Sequence, residues 1–226
     1  ASRPKWPGAP LCSRGAEVDF ALAEEEQMIV DVAGRFAAEH LQPHMREYER
    51  AGGLPSAIHT AFEESGLPLL AELGGDAEMD VAWPARCAVI QRMSAVDSGA
   101  VLALWRAVWA RALGKLLGAS VDHPLGYVHL VTELEHMRWP LSCVPMGEQT
   151  AVLVVDEIGC WGVAHVRLTQ VRSLGVRAAG LTDCAFEGWV ERGRVPPEKA
   201  MHARAIMRLW GAAILAGLSR GALAHT

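Results

Sequence analysis

The stretch from Asp80 to Leu117 leaves this chain few folds to choose from. Apolar residues recur through it at helical spacing, first at Val81, Ala85, Ala88, Val89, Met93 and Val96, then at Val101, Leu104, Trp105, Val108, Ala112 and Leu116. The spacing predicts two consecutive apolar helices joined at Asp97-Ser98-Gly99. Asp97 or Ser98 would cap the second helix by accepting a backbone N–H, and Gly99 would ease the turn. Pro84 falls in the first turn of the first helix, where its missing N–H is not needed. Trp83, Trp105 and Trp109 add large apolar surface, so this hairpin is a core element that the other segments must cover.

The 226 residues, 51% hydrophobic and 21% charged, are enough to bury a substantial core. A net charge of -5 with scattered basic residues argues against a nucleic-acid partner. No uninterrupted apolar run approaches the roughly 20 residues of a membrane span. Ala1 to Arg14 has no apolar core of the kind a signal peptide carries, and Ala1 to Gly15, rich in Pro, Gly and Arg, reads as a loosely held arm. Five widely separated cysteines (Cys12, Cys87, Cys143, Cys160 and Cys184) form no C-x-x-C pair and read as reduced thiols of a cytoplasmic protein.

Taken in order, a helix is expected from near Phe20, capped by Asp19, with Glu24, Glu25 and Glu26 at the positive end of its dipole. Its apolar face runs through Leu22, Ile29, Val32, Ala33, Phe36, Leu41, Met45 and Tyr48, and Pro43 should kink or break it. Gly52-Gly53 ends this unit. Leu54-Pro55-Ser56 opens a shorter helix that closes at Ser65-Gly66, and Gly74-Gly75-Asp76 turns the chain toward the hairpin. After Gly118 the period changes. Val152 to Val155, Trp161 to Arg167 and Leu181 to Phe186 have strand character, with Tyr127 to Val131 and Arg138 to Val144 as weaker candidates. These predict a small antiparallel β domain. From Pro196-Pro197 the pattern is helical again. One face carries Ala203, Ile206 or Met207, Trp210, Ala213 or Ile214, Gly217 or Leu218 and Gly221 or Ala222, and another carries Leu209, Ala216 and Leu223. A helix apolar nearly all round is normally buried, so more helices are expected against it, from a following segment or another subunit.

Several stretches resemble the acyl-CoA dehydrogenase family. Val89 to Leu104, reading VIQRMSAVDSGAVLAL, is similar to the family's turn between two apolar helices. Glu25-Glu-Gln27 through Arg35-Phe36, then Leu41-Gln-Pro43 and Glu64-Ser-Gly-Leu67, look like its first helix and the landmarks that follow. Leu174-Gly175 and Asp183-Cys-Ala-Phe186-Glu-Gly188 resemble the end of its β domain. They occur in the family's order over nearly the whole chain.

That resemblance implies an N-terminal helical domain, a middle β domain and a C-terminal four-helix domain, with FAD between the last two. It implies removal of an α-proton from a fatty acyl-CoA by a glutamate while the flavin takes the β-hydride. The family's flavin loop is degenerate here: Gly118-Ala-Ser120-Val-Asp122 and Val131-Thr132-Glu133 each echo it, and neither completes it. Arg138-Trp139 resembles the strand whose indole packs beside the flavin, with Ser142 following; an ordinary core tryptophan is the other reading of Trp139. Ser120, Thr132, Trp139 and Ser142 are therefore the cofactor-binding candidates. No catalytic residue is assigned, because the helix position that carries the base in some members reads Ala205-Ile206-Met207, and the usual position lies beyond Thr226.

His40 and His44 stand four apart, a spacing that suits a metal, but Pro43 lies between them and no third ligand is evident, so no metal site is assigned. The sequence thus predicts an α+β chain with an N-terminal helical bundle (1–118), a small antiparallel middle β domain (119–195) and a long helix (196–226) that begins an incomplete four-helix domain. The expected function is that of an acyl-CoA dehydrogenase-like oxidoreductase of fatty acid metabolism. It would bind FAD and an acyl-CoA or related thioester, form homo- or hetero-oligomers through the last helix, and lack its own base. The alternative is a non-catalytic interaction or scaffold subunit.

Overall fold

A computed structural model of the chain describes residues 21–72, 81–118, 125–130, 141–145, 151–155, 160–169, 177–179 and 181–224, giving the backbone alone through nearly all of the strands. The N-terminal helical layer comprises α1 (Glu24–Phe36), α2 (Met45–Ala51), α3 (Ser56–Glu64) and α4 (Trp83–Leu117). A five-stranded sheet follows, and α5 (Pro197–Ala224) closes the described chain.

Helix α1 starts at Glu24, later than the sequence suggested, and Asp19 and Phe20 lie outside the described residues. Ala23 has no side chain with which to cap, so Glu26 reaches back and accepts the Ala23 N–H at 3.0 Å. Its second oxygen accepts the Ala82 N–H at 3.2 Å, which ties the start of α1 to the start of α4. Pro43 acts as expected. Ahead of it the chain widens into a π turn, Ala37–Leu41, where the Gln42 N–H reaches back to the Ala37 carbonyl. A 3₁₀ turn, Gln42–His44, contains the proline, and α2 resumes at Met45. Gly52 and Gly66 both take φ 73° where helices end, a conformation that side chains resist.

Helix α4 contains the two predicted helices, which meet at a kink. Its two halves are joined at Asp97 alone, which has φ -148° and ψ 100° inside otherwise helical backbone. Asp97 Oδ1 accepts the Ala100 N–H at 3.0 Å and so starts the second half as its N-cap. Gly99 does not make the turn: it is buried within the helix, and the extended conformation at Asp97 is open to any residue. By length and composition α4 could cross a membrane. However, half of its most apolar window is buried in this fold, as expected of a helix at the centre of a core.

The strands are β1 (Leu125–Leu130), β2 (Leu141–Pro145), β3 (Ala151–Val155), β4 (Cys160–Thr169) and β5 (Leu181–Arg194), in the sheet order β1-β3-β4-β5-β2. All five fall on the segments with strand character. The pairs β3–β4, β4–β5 and β2–β5 are antiparallel, but β1 pairs with β3 in parallel, so the sheet is mixed where an antiparallel one was expected. Between β1 and β3 the chain visits the opposite edge as β2, and alternation along a strand carries no signal for such a crossover. A short 3₁₀ turn, Arg177–Ala179, lies between β4 and β5 and packs on α2 and α4.

Helix α5 packs along α4. A Cβ at Gly217 would overlap the Gln91 carbonyl, and one at Gly221 the Ala95 carbonyl, so these glycines let the two backbones meet. Ala203, Ile206, Trp210, Ala213 and Ile214 are buried on that face, as the periodicity indicated. Leu218, expected on the same face, is exposed instead, as are Leu209 and Leu223 of the second face and Leu215. The predicted Gly74-Gly75-Asp76 turn lies outside the described residues.

Candidate functional site

Three features of the described residues carry chemistry. The first is a polar seat where α2, the Asp97 bend and the second half of α4 converge on the 3₁₀ turn. Glu49, near the end of α2, accepts the Ala178 N–H at 3.2 Å, and Arg106 donates to the Ala179 carbonyl at 2.6 Å. Burial lowers the Arg106 pKa to about 10. His59, partly buried nearby, is held below its ordinary value by burial and then by the Arg106 charge. Tyr48 donates to the His40 carbonyl at 2.9 Å; burial, then Glu47 and Asp97, raise its pKa.

Asp97 is the unusual member of this group. One oxygen caps Ala100, while Oδ2 is buried with no partner among the described residues. Burial raises its pKa, and the hydrogen bonds from Ala100 and Gly99 oppose that rise. Chemically this is a carboxyl that holds its proton more tightly than usual, enclosed behind a helix bend.

The second feature is the start of α5, where a catalytic base could stand. Ile206 is 3% exposed and belongs to the hydrophobic core, with Ala205 exposed and Met207 half-buried beside it. One turn later Trp210 stacks on Trp109, which stacks on Trp105, which meets Phe62 edge-on. The Trp105 and Trp109 indole N–H groups are buried without an acceptor among the described residues. Ile206, its two neighbours and this aromatic stack are apolar, and none of these named side chains can serve as a base; Glu198 and His202, nearer the helix start, are both exposed.

The third is a pocket of about 210 Å³ between α3, the 3₁₀ turn Leu67–Ala71 and α4. Pro68, Leu69, Val108 and Ala112 are among its apolar walls, and Glu63, Glu72, Arg111 and Lys115 among its polar lining. Arg111 and Glu63 pair at 3.4 Å, both well exposed.

Of the cofactor-binding candidates, Ser120, Thr132 and Trp139 lie outside the described residues, as do Glu133 and Glu135 beside them. Ser142 lies on β2, an edge strand, where only the backbone is described. The four are thus not brought together into a described site, and none of the described polar groups above forms a cradle for a flavin. His40 and His44 are engaged locally: the His40 ring meets that of Phe36 at a 42° tilt, and His44 lies 3.1 Å from Glu47.

Sequence reasoning missed two polar residues that matter structurally. Arg86 is 8% exposed and donates to three carbonyls, Val81 at 2.8 Å, Leu70 at 2.8 Å and Glu72 at 2.7 Å. Its only signal was a lone charge in an apolar run. Arg106 carried the same signal, one residue after Trp105.

Residues 23–115 match the family profile described as acyl-CoA dehydrogenase, N-terminal domain. No curated protein sequence matches the chain. Among solved structures, a chain from work on the electron transferring flavoprotein of Acidaminococcus fermentans has TM-score 0.64 at 17% identity, with 92% of this chain and 68% of that one covered. Butyryl-CoA dehydrogenase from Megasphaera elsdenii gives 0.64 at 12%, covering 92% and 69%. A glutaryl-CoA dehydrogenase from Mycobacterium smegmatis, in complex with FADH2, gives 0.57 at 15%, covering 92% and 65%. At such identities the likeness is one of fold.

Proposed function

We propose, on the premise that this chain is a relative of the acyl-CoA dehydrogenase family, that it is an acyl-CoA dehydrogenase-like flavoprotein whose catalytic base lies outside these residues. The observation that carries this reading is the family match over residues 23–115, continued by a sheet and a long helix in the family's order. The domains of the proposal are 1–118, 119–195 and 196–226. Its ligands are FAD and an acyl-CoA or related thioester, and Ser120, Thr132, Trp139 and Ser142 are the residues proposed to meet the flavin. When bound, FAD would supply the acceptor for a hydride from the thioester's β-carbon. The described residues contribute the frame: α4 and α5 supply a rigid apolar wall that excludes water, and the exposed leucines of α5 offer a surface for a partner helix. The reduced cysteines expected from their spacing support a cytoplasmic location.

The apolar side chain at Ile206 supports a second reading, a non-catalytic relative that serves as an interaction or scaffold subunit. One experiment separates the two. The purified chain is incubated with FAD, freed of unbound flavin and mixed anaerobically with saturated acyl-CoAs of several lengths. The flavoprotein reading expects retained flavin absorbance and thioester binding without bleaching, because a positioned base contributes about 10²–10⁴ in rate and this reading puts it outside these residues. Loss of all flavin and thioester binding selects the scaffold. Rapid bleaching would overturn the missing base and point to Glu133 or Glu135.

A further inference from the structure

The grip on the Ala178–Ala179 segment comes from two separate helices. Glu49 of α2 takes the amide end and Arg106 of α4 takes the carbonyl end, so each charge meets the peptide dipole that suits it. Both alanines are fully buried, which leaves their peptide groups dependent on protein partners. The turn lies between the neighbouring strands β4 and β5, so both bonds run from a turn beside the sheet to the helical layer. Glu49 and Arg106 are themselves only half-buried, and water can take up both charges once the turn lifts. Opening α4 instead would expose Trp105 and Leu113, both essentially inaccessible now.

We propose that Glu49 and Arg106 form a latch that holds the Arg177–Ala179 turn on the helical layer. Release of the latch, with α2 and α4 intact, is then the lowest-energy opening of this part of the molecule. It uncovers the seat between the two helices while the core survives, as a strap over a face does. The latch does not depend on a flavin or a thioester being bound.

Hydrogen exchange under native conditions, read by mass spectrometry on the full chain, tests it with E49A, E49Q and R106M. Hydrogen bonds to charged groups predict exchange about tenfold or more faster in peptides containing Ala178 and Ala179 for E49A and R106M. E49Q keeps an acceptor and should fall between E49A and wild type. Peptides within Ala100 to Leu113 should keep the wild-type rate in E49A and E49Q. If the Ala178–Ala179 peptides are unchanged in the variants, or open only together with α4, the latch is overturned. Should R106M fail to fold, the two Glu49 variants decide the matter alone.

Discussion

The indoles of Trp109 and Trp210 lie face to face, with ring centroids 4.9 Å apart and planes 9° from parallel. This contact joins the central helix to the last one. Either tryptophan changed to alanine should cost about 3–5 kcal/mol, as for large buried rings in general. Their coupling in a double-mutant cycle, measured by urea denaturation, should be about 0.5–1.5 kcal/mol beyond area burial. Additive losses would show that the stack contributes only bulk.

Trp105 is 1% exposed, and its indole N–H has no acceptor among the described residues. Trp105→Ala should therefore cost about 3–5 kcal/mol from lost burial and the cavity left behind. Trp105→Phe strands no acceptor and should cost clearly less. Equal losses in chemical denaturation would mean that the N–H does find a partner.

Three glycines of α5 separate close packing from helix propensity. Alanine at Gly211 meets nothing within 4 Å and should stabilise by up to about 1 kcal/mol. The same change at Gly217 or Gly221 drives a methyl into the α4 backbone and should destabilise by about 1–3 kcal/mol. Thermal melts of the three variants would rank them directly.

Asp97 has its pKa raised by burial, and the sign of the pH effect follows. Its contribution to stability is fully present below the ordinary carboxylate value and is lost as pH rises through the raised folded value. Asp97→Asn keeps a capping oxygen and carries no charge, so it should equal or exceed wild type at neutral pH. Its advantage should vanish in acid. Asp97→Ala loses the cap and should cost about 0.5–2 kcal/mol. A pH-independent difference between Asp97→Asn and wild type would count against a burial-strained carboxylate.

The sequence carried the helical layer well because its signals are local. Pro43, Gly52, Gly66 and the Asp97 cap each act within a few residues, and each shows up where the pattern put it. Strand positions were legible for the same reason. The parallel β1–β3 pairing was not, since it depends on where a distant strand inserts. The roles of Arg86 and Arg106 were hidden likewise, because their acceptors are backbone carbonyls, which look alike in every sequence. Ser120, Thr132 and Trp139 lie outside the described residues, so the flavin reading still rests on motif likeness.

Arg86 fastens the first turn of α4 to Leu70 and Glu72, so the two ends of the stretch 73–80 are held by bonds that owe nothing to what lies between them. Doubling the number of residues between two fastened ends costs only about 0.6 kcal/mol in chain entropy, so a tag or reporter domain inserted between Glu72 and Val81 should leave the Arg86 bonds in place.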